Sequence, residues 1–125
     1  TIKCMINEEQ TINNSDILIL GVTFKEDCPD VRNTRVIDII KELNRFGANV
    51  NLYDPLANYQ SLDHSVDYKS IENPLNFNRK YDAIIVAVAH KEFKKIRMND
   101  YIELSKGNLV LIDVKGIVEN PTWRL

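Results

Sequence analysis

Eight consecutive positions, Lys25 to Arg32, hold two cations, three carboxylates and a thiol in the order KEDCPDVR. The ammonium of Lys25, on a flexible stem beside the aromatic Phe24, can reach a phosphate or a sugar hydroxyl. Phe24 itself suits a ligand contact or a plug in the core equally well. Asp30 and Arg32 flank the start of the next helix, where Asp30 or Asn33 can satisfy free backbone donors and Arg32 can fold back onto a carboxylate. These two are expected to shape the loop. The charges of Lys25 and Arg32 would lower the thiol pKa of Cys28, but a loop cysteine before proline reads better as a small residue than as a nucleophile. Farther along, His90 beside Lys91 invites an acid/base reading because imidazole titrates near neutrality. A lone turn histidine is more often a hydrogen-bonding surface residue, and that is the expectation here. Lys115, two positions after Asp113, brings a cation to another strand end, whereas His64 lies in a polar loop and suggests no role.

A rigid frame must bring these groups together. Ile17 to Leu20 is continuously apolar, as a central parallel strand covered on both faces should be. Gly21 then permits a tight or close-packed backbone, and with Asp30 and Arg32 it is assigned to the structure of the loop. Helical spacing follows in Val36, Ile39, Ile40 and Leu43, with Arg35, Asp38, Lys41, Glu42 and Arg45 on the opposite face. Gly47 ends that helix. Ala48 to Tyr53 reads as a second strand stopped by Asp54 and Pro55, Leu56 to Leu62 as a region with a short helical turn, and Val66 to Tyr68 as a short third strand. Ser70 to Phe77 contains the helix-breaking Pro74. Ala83 to Val88 is another buried strand, Lys91 to Lys106 one broken or two short helices, and Gly107 a break. Leu109 to Ile112 forms a last strand ended by Asp113, before an irregular tail with Pro121 and Trp123. Thr1 to Asn14 suggests a frayed helix and a turn.

Strands alternating with helices predict an α/β, Rossmann-like three-layer domain with an open parallel sheet. With strand order 3-2-1-4-5, the connections of the first and fourth strands leave in opposite directions and open a crevice at their carboxyl ends. Three segments would meet there: the loop Thr23 to Arg32, the turn Ala89 to Lys91 and the turn Asp113 to Gly116. Each supplies a cation or a donor.

The first turn lacks the second and third glycines of GxGxxG, which let a pyrophosphate sit against bare backbone, so NAD binding is disfavoured there. The segment GVTFKEDCPDVRNT instead resembles the GLxFKExxPDxRNT signature of the C-terminal, UDP-binding domain of the UDP-glucose/GDP-mannose dehydrogenase family. The likeness rests on Gly21, Phe24, Lys25, Cys28, Pro29, Asp30, Arg32, Asn33 and Thr34, with Tyr53-Asp54-Pro55 and Asp113 to Gly116 where that family has similar motifs. It is nearest to the bacterial branch acting on UDP-N-acetylhexosamines and covers the chain from about Ser15 onward.

The resemblance implies a UDP-sugar-binding domain over 15–125, with 1–14 the remnant of a preceding segment. It implies substrate contacts from Phe24, Lys25 and Lys115, the last a departure from relatives that carry arginine there, keeping the charge but losing bidentate geometry. It further implies that the complete enzyme oxidises C6 of a UDP-hexose or UDP-N-acetylhexosamine to the uronate with two NAD+ in succession, through a thiohemiacetal and a thioester on a cysteine. The NAD site and the catalytic cysteine would lie in absent N-terminal domains, leaving no catalytic residue here and an inactive isolated chain. The partners implied are the UDP-sugar, those domains, and a second subunit in a homodimer or larger assembly. A stand-alone nucleotide-binding or receiver-like module is the alternative. A receiver needs carboxylates at its first strand end to hold Mg2+, where this chain places Lys25.

Bulk properties agree with a single globular domain. The 125 residues suffice to bury roughly two thirds of the unfolded surface, and 44% hydrophobic with 27% charged residues excludes disorder. No apolar run approaches the roughly 20 residues of a membrane span. A net charge of −2 gives no case for nucleic acid. Two cysteines, Cys4 and Cys28, without CxxC or histidine spacing, support neither a disulfide framework nor a metal site, and a reducing cytoplasm is expected.

Overall fold

The computed structural model describes residues 15–23, 27, 36–57, 59, 65–74, 79–88, 90–113 and 123–124, with 107–109 and 123–124 described by backbone alone. The expected frayed helix over Thr1 to Asn14 lies outside them. The chain forms β1 (Asp16–Leu20), α1 (Val36–Arg45), β2 (Asn49–Tyr53), β3 (Lys69–Ser70), β4 (Tyr81–Val86), α2 (Lys91–Lys94), α3 (Met98–Glu103), β5 (Ser105–Asp113) and β6 (Trp123–Arg124). All strand pairs are parallel, in the order β3-β2-β1-β4-β5-β6.

Because side chains alternate across a strand, the central strands feed two cores. Ile17, Ile19, Val50, Leu52, Ala83, Ile85, Val110 and Ile112 share one face and pack with Val36, Ile37, Ile40 and Leu43 of α1. Leu18, Leu20, Ile84, Val86 and Leu111 share the other with Phe93 of α2 and Tyr101 of α3. Three layers result. Within α1, Ile37 joins the buried set while Ile39 is only partly covered.

The fourth strand runs Tyr81–Val86 where Ala83 to Val88 is expected, and strand ends differ most from the sequence reading in three other places, each for a reason of tertiary pairing. The third strand forms at Lys69–Ser70 and not at Val66 to Tyr68, because the Asn44 side chain takes both backbone groups of Asp67: Asn44 Nδ2 donates to Asp67 O at 3.0 Å and Asp67 N donates to Asn44 Oδ1 at 2.8 Å. The last long strand starts at Ser105 and runs through Gly107, with a register shift against β4 between Tyr81 and Ala83 that absorbs the extra length. Trp123–Arg124, expected to be irregular, pairs with Ile112 and Asp113.

Gly47 ends α1 with φ 78°, and the Ala48 amide reaches back to Leu43 O at 3.1 Å. Among the described residues no helix is long and apolar enough to cross a membrane.

Candidate functional site

The chain winds from β1 through β2 to β3 on one side of the sheet, then returns to place β4 on the other side of β1. That reversal puts the carboxyl ends of β1, β2 and β4 side by side at the point where α/β sheets carry ligands. Gly21 makes the first turn. Its φ of 97° belongs to the left-handed region, and a Cβ there would stand 2.6 Å from the Val88 Cβ. The turn is therefore pressed against the exit of β4.

Asp54 follows β2 directly and is buried at this junction. Its Oδ2 accepts the Val22 amide at 2.8 Å and the Thr23 amide at 3.3 Å, while Oδ1 accepts the Leu56 and Ala57 amides at 2.8 and 3.1 Å. His90 Nε2 lies 2.8 Å from the same Oδ2 and 3.1 Å from Thr23 Oγ1. On the other side of the ring, Nδ1 accepts the Asp27 amide at 2.9 Å. An acceptor at Nδ1 leaves Nε2 to donate to Asp54 Oδ2. Burial works against charge on Asp54, but the hydrogen bonds from His90, Val22 and Leu56 outweigh it and hold the carboxyl below its ordinary value.

Aromatic groups close the surroundings. Phe93 lies 5.4 Å from the His90 ring and 6.0 Å from Tyr53, centroid to centroid. The Tyr53 hydroxyl donates to Glu92 at 3.3 Å, and burial followed by the Glu92 charge pushes its pKa up to about 12. The Tyr59 hydroxyl bridges the backbone of Asp54, accepting its amide at 2.8 Å and donating to its carbonyl at 3.2 Å.

His90 thus makes the hydrogen bonds expected of a turn histidine, but its expected surface location is wrong: it is fully buried. The reason lies in the partners, since Asp54, Thr23 and Asp27 satisfy both ring nitrogens and remove the penalty for leaving water. With both nitrogens engaged, the ring has no lone pair to offer a ligand as a general base. Its work is to tie elements together.

Two of the three segments expected to converge do so in the described residues, through the contacts of Thr23 and Asp27 with His90 and Lys91. The third approaches through β5, which ends at the buried Asp113 in register with Val86 of β4. Gly21 stands in its expected structural role. Phe24, Lys25, Cys28, Asp30, Arg32 and Lys115 lie outside the described residues. Sequence reasoning took Asp54 only as a strand stop and part of a motif. The signal was an acid directly after a buried strand, although its partner is 36 positions away. Among the described residues no cluster of histidine, cysteine or acids is placed to hold a metal ion.

Residues 18–120 match the UDP-binding domain of the UDP-glucose/GDP-mannose dehydrogenase family. The chain belongs to this family. It is 40% identical over 117 residues to the UDP-N-acetyl-D-glucosamine 6-dehydrogenase of Salmonella typhi, covering 94% of this chain and 27% of that protein. The enzyme of the same name from Pseudomonas aeruginosa is 35% identical over 118 residues, covering 94% of this chain and 28% of the relative. The chain thus spans little more than a quarter of either dehydrogenase. Its fold matches a UDP-D-ManNAc dehydrogenase from Pyrococcus horikoshii with a TM-score of 0.79 at 19% identity, over 98% of this chain and 28% of that one. An NDP-N-acetyl-D-galactosaminuronic acid dehydrogenase from Methanosarcina mazei Go1 gives the same TM-score at 24% identity, over 94% and 24%. The family's UDP-binding domain is therefore built here on a Rossmann-like sheet whose first turn is closed by an internal carboxylate.

Proposed function

We propose that residues 15–125 form the UDP-sugar-holding domain of a nucleotide-sugar 6-dehydrogenase, with 1–14 belonging to a preceding segment. In this reading Lys25 and Lys115 engage the diphosphate or the sugar, Phe24 packs against the ligand, and Gly21, Asp30 and Arg32 set the loop. The complete enzyme oxidises C6 of a UDP-hexose or UDP-N-acetylhexosamine to the carboxylate in the cytoplasm, as a dimer or larger assembly. Oxidation of an alcohol to an acid removes four electrons, which two molecules of NAD+ would accept in other domains. The isolated chain is inactive.

The occupied first turn carries this reading. In a dinucleotide-binding Rossmann domain, free amides after the first strand receive the pyrophosphate. Here the Val22 and Thr23 amides already donate to Asp54 Oδ2, and Gly21 is packed against Val88. NAD does not fit at that turn. A ligand at this sheet end must instead be held by side chains of the loops, which supports a role for the Lys25 loop and the segment after Asp113.

Titration of the isotope-labelled chain with UDP, NAD+ and ADP tests the assignment. UDP should shift the amides of Thr23, Lys25 and Asp27 first, with affinity on the order of millimolar, about −4 kcal/mol, because one domain encloses only part of the ligand. Equal or larger shifts with NAD+ would overturn it, as would NADH formation by the chain alone with any UDP-sugar.

A further inference from the structure

We propose that His90 is a positioning residue that clasps Thr23 and Asp27, which follow β1, by presenting Nδ1 to the Asp27 amide. The inference deepens the reading of this end of the sheet as the UDP-sugar site and rests on it for its functional part. Its structural part stands on the hydrogen bonds alone.

The tautomer is set from both sides of the ring. Asp54 already receives four backbone amides and can act toward His90 only as an acceptor, so Nε2 must donate. Nδ1 is then left with a lone pair, and the Asp27 amide points at it from 2.9 Å. Asp27 needs such a hold because its φ is 56°, in the left-handed region that a non-glycine residue enters at a cost. A second tether comes from the adjacent residue: the Lys91 amide donates to Asp27 Oδ1 at 3.0 Å. Residues 90 and 91 therefore grip both the backbone and the side chain of Asp27.

Thr23 is held at the other end of this short span, through Asp54 and His90. His90 touches Thr23, Asp27 and Asp54 together. Its own backbone is fixed in turn, since its carbonyl accepts the Phe93 and Lys94 amides at 3.0 and 3.3 Å where α2 begins. The strand β4 and helix α2 thereby hold Thr23 and Asp27 after β1.

Two substitutions separate positioning from simple support. An asparagine side chain reaches the place of Nδ1 and can accept the Asp27 amide, whereas a glutamine side chain reaches the place of Nε2 and can donate to Asp54. In the whole 125-residue chain, His90→Gln should speed exchange of the Asp27 amide at least tenfold and weaken UDP binding by about tenfold, the effect of losing one hydrogen bond. His90→Asn should recover most of both losses even where it melts lower. Equal losses in the two variants, scaling with melting temperature, would overturn the proposal. A spectrum of the ring nitrogens in the unaltered chain needs no substitution: the Nε2–H form is expected, and an Nδ1–H form or an imidazolium would overturn it. If Asp27 exchange follows the asparagine and glutamine pattern while the unaltered chain ignores UDP, the clasp stands and the substrate assignment falls.

Discussion

Asp54 is the residue on which this end of the molecule depends. A buried carboxylate is costly unless several donors face it, and here four backbone amides and an imidazole do. Asp54→Asn would turn an amide group toward at least one of these donors and should cost about 2 to 4 kcal/mol. Because the folded-state pKa lies below the ordinary carboxylate value, the unfolded chain takes up the proton first as pH falls. The stabilisation is therefore complete above about pH 4 and is lost as pH drops from there through the folded-state pKa. Thermal melts of both proteins between about pH 2 and 6 should show the gap between them narrowing below pH 4. A constant gap would mean that the charge contributes nothing. Little of this was legible beforehand. Asp54 and His90 each looked ordinary in the sequence, and only the strand order brings them within 2.8 Å.

At the level of elements, legibility followed burial on both faces. The runs Ile17 to Leu20 and Ala83 to Val88 read as central strands, and β1 and β4 form there, β4 as Tyr81–Val86. The spacing of α1 was equally plain, and of one broken or two short helices expected after His90 the chain forms two, α2 and α3. The limits of β3, β5 and β6 were not readable, because partner strands and the Asn44 side chain decide them. Gly21 is where local and long-range demands coincide. Gly21→Ala adds a Cβ 2.6 Å from that of Val88 at φ 97°, and both clash and conformation should act, costing about 2 to 4 kcal/mol. Chemical denaturation should show the loss as a lower midpoint with an unchanged slope. A cost below about 0.5 kcal/mol would mean that β1 and β4 part easily at this turn.

The molecule as a whole is stitched at the opposite end of the sheet by charge. Lys106 Nζ lies 2.8 Å from Asp16 and 3.0 Å from Asp82, and the Asp16 amide donates to Asp82 at 2.7 Å, so the starts of β1, β4 and β5 share one cluster. The two carboxylates raise the Lys106 pKa, so its contribution is present at neutral pH and fades as pH rises through the raised value. The cluster is half open to water, and Lys106→Met should cost less than about 1 kcal/mol, with the difference shrinking in high salt. Urea titrations at low and high ionic strength would check this. The predicted order 3-2-1-4-5 is the observed order of the first five strands, and β6 extends it by one. Among the described residues that sixth strand and β3 bound the sheet, and each is two residues long. A rim so short offers too few unpaired backbone groups to template another chain. Copies of this domain should therefore not pair edge to edge through β3 or β6, even when crowded during synthesis.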